Sequence, residues 1–155
     1  MMVVVTVQEG VVATDIFSLD NVQIKLNDNI EKDEVIRLYE ANEWSSAQKP
    51  EALLGGLRAS HSLVTARFRG DLVGIANAIS DGHLVVYYPH MLVDPNYHGK
   101  GIGSKMMGTL QAIYGAYHQQ MLTADGKSVK FYKTLGFEKA GNTQSMWIYK
   151  GRDHE

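Results

Sequence analysis

A run of glycines between an apolar stretch and an amphipathic one constrains this chain more than any other feature. Residues 93–104 read Val-Asp-Pro-Asn-Tyr-His-Gly-Lys-Gly-Ile-Gly-Ser. The mostly apolar Leu84 to Val93 precedes them, and Ile102, Met106, Leu110, Ile113 and Tyr117 follow at helical spacing. The segment therefore reads as a strand-to-helix turn. Glycine lets backbone approach a ligand closely and turns several N–H groups outward, and the helix N-terminus adds about half a positive charge. Together these suit a phosphate or pyrophosphate; the plainer alternative is a tight turn that uses glycine for geometry alone. Gly101 follows Lys100, so the Ser or Thr that a Walker loop needs after its lysine is missing, and neither glycine pair completes Gly-x-Gly-x-x-Gly.

The rest of the pattern predicts one mixed α/β domain over residues 21–155. Val22 to Leu26 alternates as a short strand. From Ile30, apolar residues at Val35, Leu38 and Tyr39 follow helical spacing, and Pro50 suits the first turn of a second helix carrying Leu53, Leu54 and Leu57. Val64, Ala66 and Phe68 alternate before a turn at Arg69-Gly70-Asp71, and Val73, Ile75 and Ile79 alternate before one at Asp81-Gly82. Leu84 to Val93 reads as one long central strand covered on both faces, and Pro89 within it argues for a bulge or an unpaired position. Gln120 to Ala124 reads as a strand, Ser128 to Leu135 as a short helix stopped by Gly136, and Phe137–Ala140 and Gln144–Tyr149 as the last two strands. Residues 1–20 are expected to be a leader or an extra N-terminal strand.

Composition narrows the function classes. The chain has 155 residues, no cysteine and a net charge of −2. Disulfides, zinc-thiolate sites and a cysteine nucleophile are excluded. No basic field points to nucleic acid. No apolar run approaches the roughly 20 residues of a membrane span, and the opening apolar run lacks a basic flank. A cytoplasmic location is the expectation.

His98 to Gly103, preceded by Val93, Pro95 and Tyr97, resembles the pyrophosphate loop of the GCN5-related N-acetyltransferases, usually written Gln/Arg-x-x-Gly-x-Gly/Ala. Phe131-Tyr132-Lys133-Thr134-Leu135-Gly136-Phe137 resembles the second signature of that family, and the two stand in the usual order. The resemblance, to small bacterial members, covers roughly residues 22–150. The family's first loop position is Gln or Arg; here it is His98. The fold it implies is a central, mostly antiparallel sheet with two splayed parallel strands, flanked by about four helices.

The resemblance also implies roles. Acetyl-CoA would be the co-substrate, with no metal. Backbone of His98, Gly99, Lys100, Gly101, Gly103 and Ser104 would hold its pyrophosphate, and backbone of Met91 and Val93 its pantetheine arm. Tyr132 would protonate the leaving thiolate. His90 is the first candidate for the base, with Tyr87 as the anchor of a water chain instead; a satisfied sheet histidine is the plainer reading of His90. Trp44 is expected to wall the acceptor pocket, with Met146 and Trp147 as further candidates for that wall, and His61, His83 and His118 read as surface or turn residues. The expected reaction is transfer of acetyl to a small-molecule primary amine. A protein or peptide acceptor and a non-catalytic coenzyme A sensor are the alternatives, and the resemblance leaves a homodimer open.

Overall fold

Glycine and proline punctuation sets the order of elements. A computed structural model of the chain describes residues 16–153; the expected leader or extra strand falls mostly on residues 1–15, outside the described residues. Strand β1 (Val22–Leu26) leads to helix α1 (Lys32–Ala41) and helix α2 (Pro50–Arg58), which starts on its proline. Strands β2 (Ser62–Phe68), β3 (Asp71–Ser80), β4 (Val85–Tyr87) and β5 (Met91–Val93) follow, then helix α3 (Ile102–Tyr114), strand β6 (Gln119–Met121) and helix α4 (Val129–Thr134). Among the described residues, no helix is long and apolar enough to cross a membrane.

The sheet runs β1-β2-β3-β4-β6, with β5 also on β3; among the described residues the one parallel pair is β4 with β6. Alternation along the strands makes two cores. Val64, Ala66, Ala76, Ala78, Val86 and Tyr88 pack on α3, whereas Leu63, Leu72, Ile75 and Leu92 pack on α1 and α2. Burying side chains such as Met106 and Leu110 stabilises by about 1.5–3 kcal/mol each.

Three expectations are corrected. The long strand over 84–93 is two strands. The Ile79–Tyr87 and Ala76–Met91 pairs differ by one residue in register, so an extra residue is bulged out at the Tyr88-Pro89-His90 break. Proline has no N–H for the ladder, which accounts for the break. That strand is also not covered on both faces, since Val85 and Tyr87 are exposed. The last two strands, 137–140 and 144–149, are absent from the described structure, and Met146 is 93% exposed and Ile148 94%; alternation needs a partner edge to become a strand. On α3 the buried residue is Tyr114 rather than Ile113: the step of four from Leu110 stays on the face that Met107 and Leu110 share, and the step of three leads to its exposed margin.

His61 is likewise more than a turn residue. Its Nδ1 lies 2.6 Å from the Tyr114 hydroxyl, which donates to Ser62 Oγ at 2.6 Å.

One polar cluster fixes α1 to the sheet. The Arg67 guanidinium donates to Asp28 at 2.7 Å and to both Glu34 oxygens at 2.7 and 2.9 Å, and Nη2 reaches the Asn29 carbonyl at 3.1 Å. Hydrogen bonds from Arg67 hold the Glu34 carboxyl below its usual range. At Asp28 burial pushes upward, but bonds from Arg67 and Thr65 outweigh it and the net shift is downward. Both depressed carboxylates contribute stability that is complete above their unfolded range and is lost as pH falls through the folded values. Arg67→Met should cost about 2–3 kcal/mol at neutral pH, discounted from a fully buried pair because the groups retain some exposure. That is about 5–10 °C in Tm for a chain of this size. Thermal melts from pH 7 to pH 3 should show the gap from wild type narrowing with acid; a gap independent of pH would contradict this role.

Candidate active site

The break between β4 and β5 opens the sheet. The β4–β6 ladder ends where the Tyr88 N–H donates to the Met121 carbonyl at 2.9 Å, and β5 pairs with β3 alone. The Asn77 N–H donates to the His90 carbonyl at 3.1 Å and the Asp94 N–H to the Val73 carbonyl at 2.8 Å, with Leu92 opposite Ile75. Peptide groups alternate along a strand, so Met91 and Val93 turn theirs to the other, open edge. An extended ligand can add there as a strand would.

That edge runs into the glycine turn. Asp94 caps Pro95–Tyr97 by accepting from the Asn96 N–H at 2.9 Å, and the chain then passes Gly99 at φ +75° and Gly101 at φ +90°. Gly101 is the N-cap of α3, and no side chain among the described residues caps the helix. Among the described residues, the N–H groups of 99–104 donate to no acceptor. Orphan donors with a helix dipole behind them form a site for an anion. Lys100 Nζ stands 4.9 Å above the Phe17 ring, and Lys105 Nζ donates to the Leu19 carbonyl at 3.3 Å, so residues 17–19 border the loop. Nothing in the sequence pattern pointed to that border.

His98 stands apart from its neighbours. Its N–H donates to the Pro95 carbonyl at 3.3 Å, and its Nε2 lies 2.7 Å from the Val93 carbonyl on the open edge. The expectation that it acts through a free backbone amide does not match this arrangement: both its N–H and its ring are engaged.

Gly103 joins the loop to α4. A Cβ there would meet Phe131 Cζ at 3.2 Å and Met91 Cε at 3.4 Å. Helix α4 ends in a Schellman cap: the Phe137 N–H donates to the Tyr132 carbonyl at 3.1 Å and the Gly136 N–H to the Lys133 carbonyl at 3.2 Å, with Gly136 at φ +93°. The Gly-Phe of the second signature thereby sets Phe137 edge-on against the Tyr132 ring, centroids 5.8 Å apart. The Tyr132 hydroxyl has no hydrogen-bond partner among the described residues, and burial, then Asp125, pushes the phenol up to about 12. It is protonated at neutral pH.

On the opposite face, His90 lies among aromatics. Its Nδ1 is 2.6 Å from the Tyr39 hydroxyl, and its ring meets Tyr39 at 5.5 Å and Trp44 at 5.1 Å. Its N–H donates to Asn77 Oδ1 at 3.0 Å. Burial lowers His90 to about 4, so it is neutral at physiological pH. Tyr39 is fully buried; at helical spacing it reads as core, and its pairing with a residue 51 positions away left no sequence signal. Tyr87 is not part of this group: it is exposed on β4, on an apolar patch with Ile79, Val85 and Met121.

The far end of the chain closes on the residue after Trp44. The Tyr149 hydroxyl lies 3.1 Å from Ser45 Oγ and donates to Asp153 at 2.5 Å, and the Ser45 N–H reaches Asp153 at 3.4 Å. Burial pushes the Asp153 carboxyl up, but bonds from Ser45 and Tyr149 outweigh it and hold it at about 2. Met146 and Trp147, the further candidates for the pocket wall, are exposed.

These features agree with the chain's relatives. The family model described as an acetyltransferase (GNAT) domain matches residues 26–147. The N-alpha-acetyltransferase RimI of Mycobacterium tuberculosis is 30% identical over 110 residues, 67% of this chain and 70% of that protein. An uncharacterised protein of Mycobacterium leprae is 30% identical over 117 residues, 72% of this chain; the chain spans about a third of that relative, 32% of its length. A solved GNAT-family acetyltransferase from Streptococcus pneumoniae superposes with a TM-score of 0.71 at 27% identity, covering 84% of this chain and 99% of that one. Loop, splayed edge, α4 signature and relatives converge: the chain belongs to the GNAT acetyltransferase family.

Proposed function

We propose that the chain transfers the acetyl group of acetyl-CoA to the primary amine of a small molecule by direct attack. The observation that carries the reading is the edge of Met91 and Val93, which pairs with no strand and meets only the His98 ring at the Val93 carbonyl, leading into the unpaired N–H groups of residues 99–104. Pantetheine would lie along that edge and pyrophosphate on the amides of Gly99, Lys100, Gly101, Gly103 and Ser104, with His98 joining only after its N–H leaves Pro95.

The chemistry follows from the two faces. The amine nitrogen attacks the thioester carbonyl, the C–N bond forms and the C–S bond breaks. The departing sulfur takes the proton of the Tyr132 phenol, and the surplus proton of the amine leaves through water and restores the phenol. A free thiol titrates near 8.5, well below a phenol at about 12. The transfer is therefore matched only where burial between the strands raises the thiol as well. His90 and Trp44 would line the acceptor side.

The small acceptor is inferred from the strap of residues 149–153, which hydrogen-bonds Ser45, the residue after Trp44. The name of the mycobacterial relative RimI supports a second reading, in which the acceptor is a peptide α-amine. Parallel turnover of small primary amines and short peptides decides between them. The first reading expects at least about tenfold higher kcat/KM for a small amine, within the 10–200-fold that pocket fit alone supplies. Preference for peptides would overturn it.

A further inference from the structure

Resting on the acetyltransferase reading above, we propose that Tyr39 locks His90 as the Nε2–H tautomer, making His90 a fixed hydrogen-bond donor that selects amines carrying an oxygen acceptor near the amine.

The argument starts at the Tyr39 hydroxyl. It is sealed in the core that α1 and α2 form against the sheet, and its one hydrogen-bond partner among the described residues is His90 Nδ1. Burial pushes the phenol strongly upward, so it keeps its proton. If Nδ1–H donated to the phenol oxygen, the phenol proton would point into aliphatic side chains with nothing to accept it. The phenol therefore donates and Nδ1 accepts. A neutral imidazole with Nδ1 as acceptor carries its proton on Nε2.

Neutrality follows from the surroundings. The groups against the ring, Tyr39 and Trp44, and Asn77 on its backbone carry no charge, and burial alone lowers its basicity. The ring cannot easily turn over, since aromatic edges bracket it and Asn77 holds its backbone on both sides.

Nε2 has no partner among the described residues. It is not sealed either: among the described residues the one buried side-chain polar atom without a partner is Ser46 Oγ. His90 sits opposite Asn77, on the face of α1 and α2, whereas Met91 and Val93 pack towards α3. The Nε2–H therefore serves the acceptor molecule rather than the coenzyme edge. A site built to donate to an oxygen discriminates strongly against an analogue that lacks it. Tyr39 touches neither reactant and is a positioning residue.

The test uses the full chain labelled with ¹⁵N-histidine. Long-range ¹H–¹⁵N spectra at pH 7, with His90 assigned by the signal lost in His90→Leu, should place the proton on Nε2 and leave Nδ1 bare and hydrogen-bonded. Tyr39→Phe should remove the hydrogen-bond shift on Nδ1. A proton on Nδ1 in the wild type would overturn the proposal. The kinetic arm compares phenylalaninamide with the matching alkylamine that lacks the carbonyl. Because the carbonyl also makes the neighbouring amine less basic, the readout is the change in the amide-to-alkylamine ratio of kcat/KM: His90→Leu should lower the wild-type ratio at least about tenfold, and His90→Gln, which retains an N–H donor, should lower it less. A ratio untouched in His90→Leu would equally overturn it. Failure of the wild type to acetylate either amine would count against the acetyltransferase reading, and the tautomer would still be decided by the spectra.

Discussion

Replacing Gly101 by aspartate is expected to abolish acetyl-CoA binding while leaving the chain folded. Gly101 sits at φ +90° and ψ 2° at the head of α3, in the middle of the unpaired N–H groups. The substitution sets a negative charge where a pyrophosphate would approach and a side chain where backbone must reach it. It also introduces strain: a left-handed residue other than glycine costs about 1–2 kcal/mol. The new Cβ would stand 3.0 Å from Leu19 Cδ2, the far end of a side chain that can move. The buried stripe of Ile102, Met106, Met107, Leu110 and Tyr114 is untouched. The variant should therefore melt a few degrees lower, about 3–6 °C. Acetyl-CoA at a hundredfold over its dissociation constant should stabilise wild type by about 2.7 kcal/mol and the variant not at all. ATP should stabilise neither to that extent. A folded Gly101→Asp protein with a normal acetyl-CoA shift would reduce the loop to a turn.

Tyr132→Phe should lower kcat by about 10²- to 10⁴-fold, the usual contribution of a positioned acid. The ring stays in place, because its contacts with Phe131 and Phe137 involve no hydroxyl. The hydroxyl has no partner whose loss would leave a buried polar group, so stability should change little. Coenzyme affinity should also hold, since the loop and the β5 edge are unaltered. The phenol stays protonated until about 12, so the wild type should show no basic limb from Tyr132 near neutrality and the variant should be slow at every pH. Steady-state rates from pH 6 to 9, with acetyl-CoA affinity measured separately, check this. Full activity in Tyr132→Phe would remove the proposed acid.

What was legible in the sequence was what local geometry controls. Glycines at 99, 101 and 103 between an apolar run and a helical stripe announce a backbone-lined turn, and Gly136-Phe137 announces a helix stop; both follow from conformations that glycine alone adopts freely. Pro89 pointed to the break in the central strand, but only the register across β3 shows that one residue is bulged there. Non-local partners were illegible. Tyr39 reads as core until His90 is seen against it, and the His98 ring meets the Val93 carbonyl only because the turn folds back. Gln144 to Tyr149 alternates like a strand, yet alternation records only two faces, not an edge to pair with. On α3 the exposure of Ile113 and burial of Tyr114 turn on a one-residue rotation, since steps of three and of four from Leu110 both fit a helical stripe.

The most direct measurement of the central claim is to mix the chain with acetyl-CoA and a panel of primary amines, follow free thiol, and weigh the products. The account predicts thiol released one-for-one with an amine gaining one acetyl group, dependent on both reactants and lost in Gly101→Asp. Thiol released without any acetylated amine, or no release with any acceptor from a chain that binds acetyl-CoA, would contradict it.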